Sequence, residues 1–300
     1  MRFIRKKWIA AARQKYPPAF STHMANPVAF NLANNQVRIF FSGRNEEKKS
    51  SIGYFDILID QTICQASELH TLVDIKDHKD SFFADGISLG NIFAWEGRHF
   101  LSFMGWQRLG ESRWAGRIGL MELNPFTPSI QSVPNEPIID ISKTYGASLS
   151  YPAVKVMNGS RFFWYGSTIK PDAGNGEMLH SLHLTVIGKT GEQRHYGEII
   201  KHEIGTEQAF SRPCVIETDG GLSMFYSVRG SADTYQIKSA TSLNGKSWQK
   251  ADFELLGPEF PEETEMQCYP YLFGLKDDLF MLYNGNGFGK SGIGIAVMER

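Results

Sequence analysis

Short apolar, aromatic-rich runs alternate with polar turns along the chain, and one such run returns five times. It reads VRIFFSGR at 37–44, RHFLSFMGW at 98–106, SRFFWYGST at 160–168, GLSMFYSVRG at 221–230 and DLFMLYNGNG at 278–287. The returns are about sixty residues apart, within reach of a long propeller repeat. Another apolar run precedes each of them, and the turns between, such as Asn158-Gly159 and Asp219-Gly220-Gly221, suit two-stranded hairpins. A third strand follows in every unit: SSIGYFDI, RIGLMEL, HSLHLTVIG, QIKSATS and GIGIAVMER. A weaker fourth follows in the first four units: LHTLVDI, EPIIDIS, EIIKHE and DFELLG. The pattern predicts an all-β, five-bladed β-propeller with four-stranded antiparallel blades, forming one domain over residues 1–300. The last unit ends after its third strand, so the N-terminal run FIRKKWIAA is expected to supply the outer strand and close the ring. A β-sandwich also has regular short strands, but the same aromatic strand repeated in phase argues against it.

Composition changes this picture little. Aromatic residues make up 13% of the chain and 29 glycines accompany them, as many short strands and tight turns require. The formal net charge of −1 gives no reason to expect a nucleic-acid partner. Cys64, Cys214 and Cys268 have neither zinc-site nor redox-pair spacing, so no metal and no cofactor are expected. The basic start MRFIRKKWIAAARQKYPP lacks the apolar run of a secretory signal, and no stretch approaches the ~20 apolar residues of a membrane helix. A cytoplasmic location without a membrane span is the expectation.

In such a fold, binding groups gather on loops at one mouth of the central channel. The residues flanking the repeated strands therefore supply the candidates. The first unit contributes His23, Asn26 and Arg44, and the second contributes Asp85. The third contributes Ser148, Tyr151 and His180, and the fourth Glu207, Ser211, Arg212 and Arg229. The fifth contributes Glu265, Tyr269, Asn284 and Asn286. Asp85, Glu207 and Glu265 form a pool of acids, each with a structural ion pair as its plainer reading. Arg44, Arg212 and Arg229, with His23 and His180, suit an anionic group. Tyr151, Tyr269, Trp106 and Trp164 are candidate stacking platforms, and core packing is the plainer reading for Trp164.

The segments SGRNEEKKSSIGYFDI, EQAFSRPCV, EMQCYPYLF and MLYNGNGFGKSGIGIAV carry a resemblance. From about His23 to the end, the chain resembles the five-bladed propeller superfamily of glycoside hydrolase families 43, 32, 68 and 130. Within it, the chain is similar to an uncharacterised group of roughly 300-residue propeller proteins associated with surface-polysaccharide genes. The stretch SLNGKSW at 242–248 resembles the Asp-box turn of such propellers, a marker of fold and not of catalysis.

The resemblance implies a carbohydrate or activated sugar at the channel mouth. Its departures matter as much. Where family 43 carries an Asp-Pro base, this chain has Asn26-Pro27, and an amide cannot act as that base. The Arg-Asp-Pro and Glu-Cys motifs of the superfamily are absent, although Asp85 stands in a similar place. Three readings follow. The first is a glycoside hydrolase-like enzyme with acid and base roles shared among Asp85, Glu207 and Glu265, and with Arg44, Arg212, Arg229, His23 and Asn286 binding substrate. The second is phosphorolysis or sugar transfer from an anionic donor during surface-glycan synthesis, with Asp85 as the single acid. The third is a glycan-binding propeller without turnover.

Overall fold

A computed structural model describes residues 1–110, 114–231, 234–251, 253–255 and 257–299. It is all-β, with short 3-10 turns as its helical content. After β1 (Arg2–Ala10), the chain runs through five units of consecutive antiparallel strands. The first unit is β2 (Thr22–Asn31), β3 (Gln36–Arg44), β4 (Ser50–Ile59), β5 (Ile63–Gln65) and β6 (His70–Val73). The second is β7 (Gly86–Trp95), β8 (Arg98–Arg108), β9 (Trp114–Asn124) and β10 (Ser129–Ser132). The third is β11 (Leu149–Met157), β12 (Ser160–Lys170), β13 (Leu179–Ile187) and β14 (Gln193–Glu198). The fourth is β15 (Ala209–Thr218), β16 (Gly221–Arg229), β17 (Gln236–Ser242) and β18 (Gln249–Ala251). Next comes β19 (Glu254–Leu255), and the last unit is β20 (Cys268–Leu275), β21 (Asp278–Asn284) and β22 (Gly292–Met298).

The first strands touch in cyclic order, β2 to β7 to β11 to β15 to β20 and back to β2. Single parallel bridges, Ser50 to Gly86 and His180 to Ala209, link neighbouring units. β1 pairs antiparallel with β22 from Phe3↔Met298 to Ala10↔Gly292.

The aromatic run of each unit is its second strand, and its side chains fill the core. Phe40, Phe41, Phe103, Trp164, Tyr165, Phe225 and Tyr283 are all inaccessible to solvent. Two hairpins turn on residue pairs with positive φ, Glu96-Gly97 and Asn158-Gly159, whose twist matches that of the flanking strands. The fourth strand of the first unit falls within the expected LHTLVDI, at His70–Val73, whereas the others differ from expectation. The second and third units pair through Ser129–Ser132 and Gln193–Glu198, upstream of EPIIDIS and EIIKHE. Within DFELLG, Glu254 and Leu255 pair parallel with β1, while Gln249–Ala251 edges the fourth unit; Asp252 and Leu256 lie outside the described residues. These outer segments carry weak apolar patterns because one edge of each faces solvent.

Every first strand has a register shift where it nears the axis. In four of them the shift falls on an X-Pro pair whose first residue has positive φ: Asn26 (53°), Tyr151 (40°), Arg212 (51°) and Tyr269 (56°). The proline that follows has no N–H to give, and a bulge asks for none. Non-glycine residues held at positive φ are strained, and they cluster where the surroundings over-determine them.

The second unit places Gly90-Asn91 at this level. A Cβ on Gly90 would stand 2.2 Å from the Pro152 carbonyl oxygen and 2.8 Å from the Ser102 carbonyl oxygen. Both are backbone atoms and cannot step aside. Gly90→Ala is therefore expected to cost about 1–3 kcal/mol by overpacking between β7 and β11. An unchanged melting temperature would show that this approach is looser than the distances indicate.

Candidate functional site

The first strands and the loops above them enclose a cavity of about 740 Å3. Seven of the expected residues line it: Asn26, Arg44, Tyr151, His180, Ser211, Arg229 and Tyr269. They converge because each lies at or near the bulge of a first strand, or at the end of the strand that pairs with it. Trp106 also lines the cavity, with Nε1 donating to Ser50 Oγ at 3.2 Å. Trp164 does not. It is fully buried, and its Nε1 donates to the Gly245 carbonyl, fixing the turn at 242–248.

Tyr151 and Tyr269 sit side by side on the axis. Their hydroxyls are 3.0 Å apart and their rings 5.0 Å apart, tilted by 43°. Burial raises the pKa of both phenols, so both stay protonated. His180 is gripped on either side, Nε2 at 2.7 Å from Ser150 Oγ and Nδ1 at 3.0 Å from Thr168 Oγ1. Burial, with His183, His202 and Arg229 nearby, pushes its pKa down to about 3. It is therefore a neutral hydrogen-bonding group at neutral pH.

Four cationic side chains line the cavity: Arg44, Lys48, Arg108 and Arg229. Against them stands one lining carboxylate, Glu177, whose Oε2 accepts from Arg229 Nη2 at 2.7 Å. Arg108 Nη2 donates to the Glu47 carbonyl at 2.7 Å. Arg44 and Lys48 form no ion pair among the described residues. Asn26 Oδ1 and Ser42 Oγ, both on the lining, are buried without a hydrogen-bond partner.

The expected acids lie off the lining. Asp85 is the nearest to it in bonding terms, because its Oδ2 accepts from the Arg108 backbone N–H at 2.8 Å, and Lys49 Nζ is 3.8 Å from Oδ1. Glu207 is buried between Lys238, at 3.2 Å, and Lys250, and also accepts from the Glu203 backbone N–H at 2.7 Å. The hydrogen bonds to Lys250, Glu203 and Lys238 draw its pKa below the usual carboxylate value against the opposing effect of burial. Glu265 is exposed, its backbone N–H donating to Asn286 Oδ1.

The remaining candidates also have structural partners. His23 Nδ1 is 2.9 Å from Thr22 Oγ1, and burial together with Arg44 and Lys290 pushes its pKa down to about 4. Asn284 ties β21 to β2, accepting from the Asn26 N–H and donating to the Met24 and Gly292 carbonyls. Asn286 accepts from the N–H groups of Glu265 and Met266 and donates to the Pro261 carbonyl. Ser148 Oγ accepts from the Gly116 N–H. Arg212 lies beneath the floor of the cavity, fully buried.

Sequence reasoning missed Lys48, Arg108 and Glu177. All three sit at or within the connection from the second to the third strand of a unit, mostly beyond the residues that directly flank the repeated strands. The signal available was the charge in those connections, such as NEEKK after Arg44. Among the described residues, no group of three His, Cys, Asp or Glu side chains is arranged to hold a metal ion, and no helix is long and apolar enough to cross a membrane.

No family model matches the chain. It is 28% identical over 286 residues to "Uncharacterized protein MT1551" of Mycobacterium tuberculosis strain CDC 1551 / Oshkosh, covering 93% of each chain. It is 27% identical, with the same coverage, to "Uncharacterized protein Rv1502" of strain ATCC 25618 / H37Rv. Among solved structures, one described as a glycoside hydrolase superposes with a TM-score of 0.75 at 12% identity, covering 99% of this chain and 92% of that one. A thermostable family-43 glycoside hydrolase gives 0.66 at 12% identity over 92% of this chain and 89% of its own. A structure described under the GH130 family of mannoside phosphorylases, which contains glycoside hydrolases that target β-1,2 mannosidic linkages in Candida mannan, gives 0.67 at 13% identity over 99% of this chain and 93% of its own. The resemblance in sequence pattern to families 43 and 130 is thus matched by a likeness in fold.

Proposed function

We propose that the five strand units are the blades of one five-bladed propeller domain closed by β1, and that its cavity is a carbohydrate site for a sugar carrying phosphate or carboxylate. One observation carries the ligand class. Four cationic side chains line a 740 Å3 cavity against a single carboxylate, and three of the cations, Arg44, Lys48 and Arg108, have no acidic partner among the described residues. Unpaired cations beside the buried, unpartnered Ser42 hydroxyl suit an anion held by charge-assisted hydrogen bonds, and the unpartnered Asn26 Oδ1, an acceptor, suits a sugar hydroxyl. Trp106 and Tyr269 offer ring faces for the sugar.

The same arrangement bears on the chemistry. Hydrolysis by paired carboxyl groups needs both of them flanking one bond. Glu207 is tied to two lysines and Glu265 lies off the lining, which favours a different division of labour. Bond breaking with a phosphate-type group as nucleophile or leaving group needs cations to hold that anion and one carboxyl acid. Asp85, bonded to the backbone of Arg108, and Glu177, paired with Arg229, are the two carboxyl groups available to it.

The test is a calorimetric titration with sugar phosphates, uronic acids and matched neutral oligosaccharides. Anionic sugars are expected to bind at least tenfold more tightly, and the advantage to shrink as salt is raised. Arg44→Ala is expected to weaken anionic ligands by about 10- to 100-fold, the worth of a hydrogen bond to a charged group. Equal affinity for neutral sugars, indifferent to salt, overturns the reading. Product analysis with and without inorganic phosphate, repeated on Asp85→Asn and Glu177→Gln, separates phosphorolysis or transfer from hydrolysis and from binding alone.

A further inference from the structure

Beneath the tyrosine floor the axis holds a second space of about 50 Å3, lined in part by Asn91, Val154, Arg212, Cys214, Tyr271 and Leu272. It shares no lining residue with the larger cavity. The Arg212 side chain is completely buried and belongs to this lower space. Its Nη2 donates to the Pro27 carbonyl at 3.1 Å, and its guanidinium carbon lies 5.9 Å from the centre of the Tyr271 ring. Its Nε has no partner, and among the described residues no carboxylate pairs with it.

A guanidinium does not give up its proton in a protein, so this is a buried positive charge. Buried charges persist when something pairs with them. The polar atoms around the space are already engaged. Tyr271 Oη donates to the Ala29 carbonyl, Asn91 Nδ2 donates to the Val154 carbonyl, and Cys214 Sγ accepts from the Leu272 N–H. Burial raises the Cys214 pKa, so the thiol supplies no negative charge.

We propose that this axial cavity is a halide-binding site, with Arg212 as its cationic ligand and chloride as its physiological occupant. Size and chemistry agree. One water occupies roughly 10–15 Å3 on this kind of measure, so the space takes a monatomic anion with a water or two. A lining that sets one guanidinium beside a thiol, an aromatic ring and aliphatic side chains suits a weakly hydrated monatomic ion. The site is independent of the carbohydrate reading. Its consequence is structural: an anion here neutralises Arg212 directly under Tyr151 and Tyr269 and steadies the floor of the cavity above.

Two measurements test it. Crystals soaked in sodium bromide are expected to show an anomalous peak in the axial cavity within contact of the Arg212 guanidinium. Thermal unfolding in sodium chloride or bromide is expected to exceed that in sodium gluconate at equal ionic strength by a few degrees, saturating with halide as specific binding to the folded state does. Arg212→Met is expected to abolish the difference between halide and gluconate. An axial cavity that holds water only in the soaked crystals overturns the proposal, and so do coincident melting curves. Should Arg212→Met fail to fold, the two wild-type measurements still decide.

Discussion

Arg5→Met is expected to unfold at a clearly lower urea concentration than the parent chain, with a loss of about 3–5 kcal/mol. Arg5 lies on β1, and its Nε stands 2.7 Å from Glu263 Oε1 with both side chains wholly buried. Glu263 is the hub of this corner. Its Oε1 accepts from the Glu259 and Phe260 N–H groups, and its Oε2 accepts from Tyr283 Oη at 2.8 Å and Gln267 Nε2 at 3.0 Å. Arg5 makes no well-directed hydrogen bond of its own, so its contribution is chiefly the charge. Removing it leaves a carboxylate in the interior with nothing to balance it. Glu263→Gln strands the arginine in the same way and also weakens the loop that β1 packs against. The double variant is expected to lose less than the sum of the singles, because neither charge is then left alone. Denaturation midpoints with unchanged slopes would measure this. A single-variant loss below about 1 kcal/mol would sink the idea that this pair anchors β1.

The second large effect is on pH dependence. An unfolded histidine titrates near 6.5, whereas His180 in the folded chain is pushed down to about 3, first by burial and then by His183, His202 and Arg229. Between those values the unfolded chain binds a proton that the folded chain refuses. The contribution is therefore fully present above pH 6.5 and is lost progressively as the pH falls toward 3. At 4% exposure little solvent screening applies. With about 1.4 kcal/mol per pH unit, the loss reaches about 3 kcal/mol by pH 4. His183, held at about 4, and His23, also at about 4, tilt the curve the same way. The informative quantity is thus the difference between the parent and His180→Gln. The variant is expected to start lower, having lost its fit between Ser150 and Thr168, and to fall less steeply below pH 6.5. Parallel stability curves from pH 7 to pH 4 would refute the assignment of this slope to His180.

Much of the architecture was legible in the sequence. The run from VRIFFSGR to DLFMLYNGNG forms the second strand of each unit, because a strand buried on both faces must be apolar and aromatic almost throughout. The outer strands were legible only in part, since a half-exposed edge strand needs no strict pattern, as Gln193–Glu198 shows. At the site, the reading found residues whose position follows from strand phase, such as Ser211 and Tyr269. It did not find Lys48, Arg108 and Glu177, because where a loop folds back over a mouth is not written in its periodicity.

The X-Pro pairs show the division most clearly. Asn26-Pro27, Tyr151-Pro152, Arg212-Pro213 and Tyr269-Pro270 stand in phase in the sequence. The sequence by itself therefore determined a repeat of strands with a punctuated point near the axis, and an amide rather than an acid at Asn26. Only the tertiary structure decided what each punctuated residue faces. Tyr151 and Tyr269 join hydroxyls at the larger cavity, while Arg212 lines the smaller space. It also decided that Glu207 serves two lysines and that Arg44 and Lys48 go without an acid. The physical reason is that strand phase is local, set by steric and hydrophobic alternation a few residues at a time. Charge pairing depends instead on which side chains from distant units arrive within a few ångströms of one another, and that is settled when the ring of strands comes together.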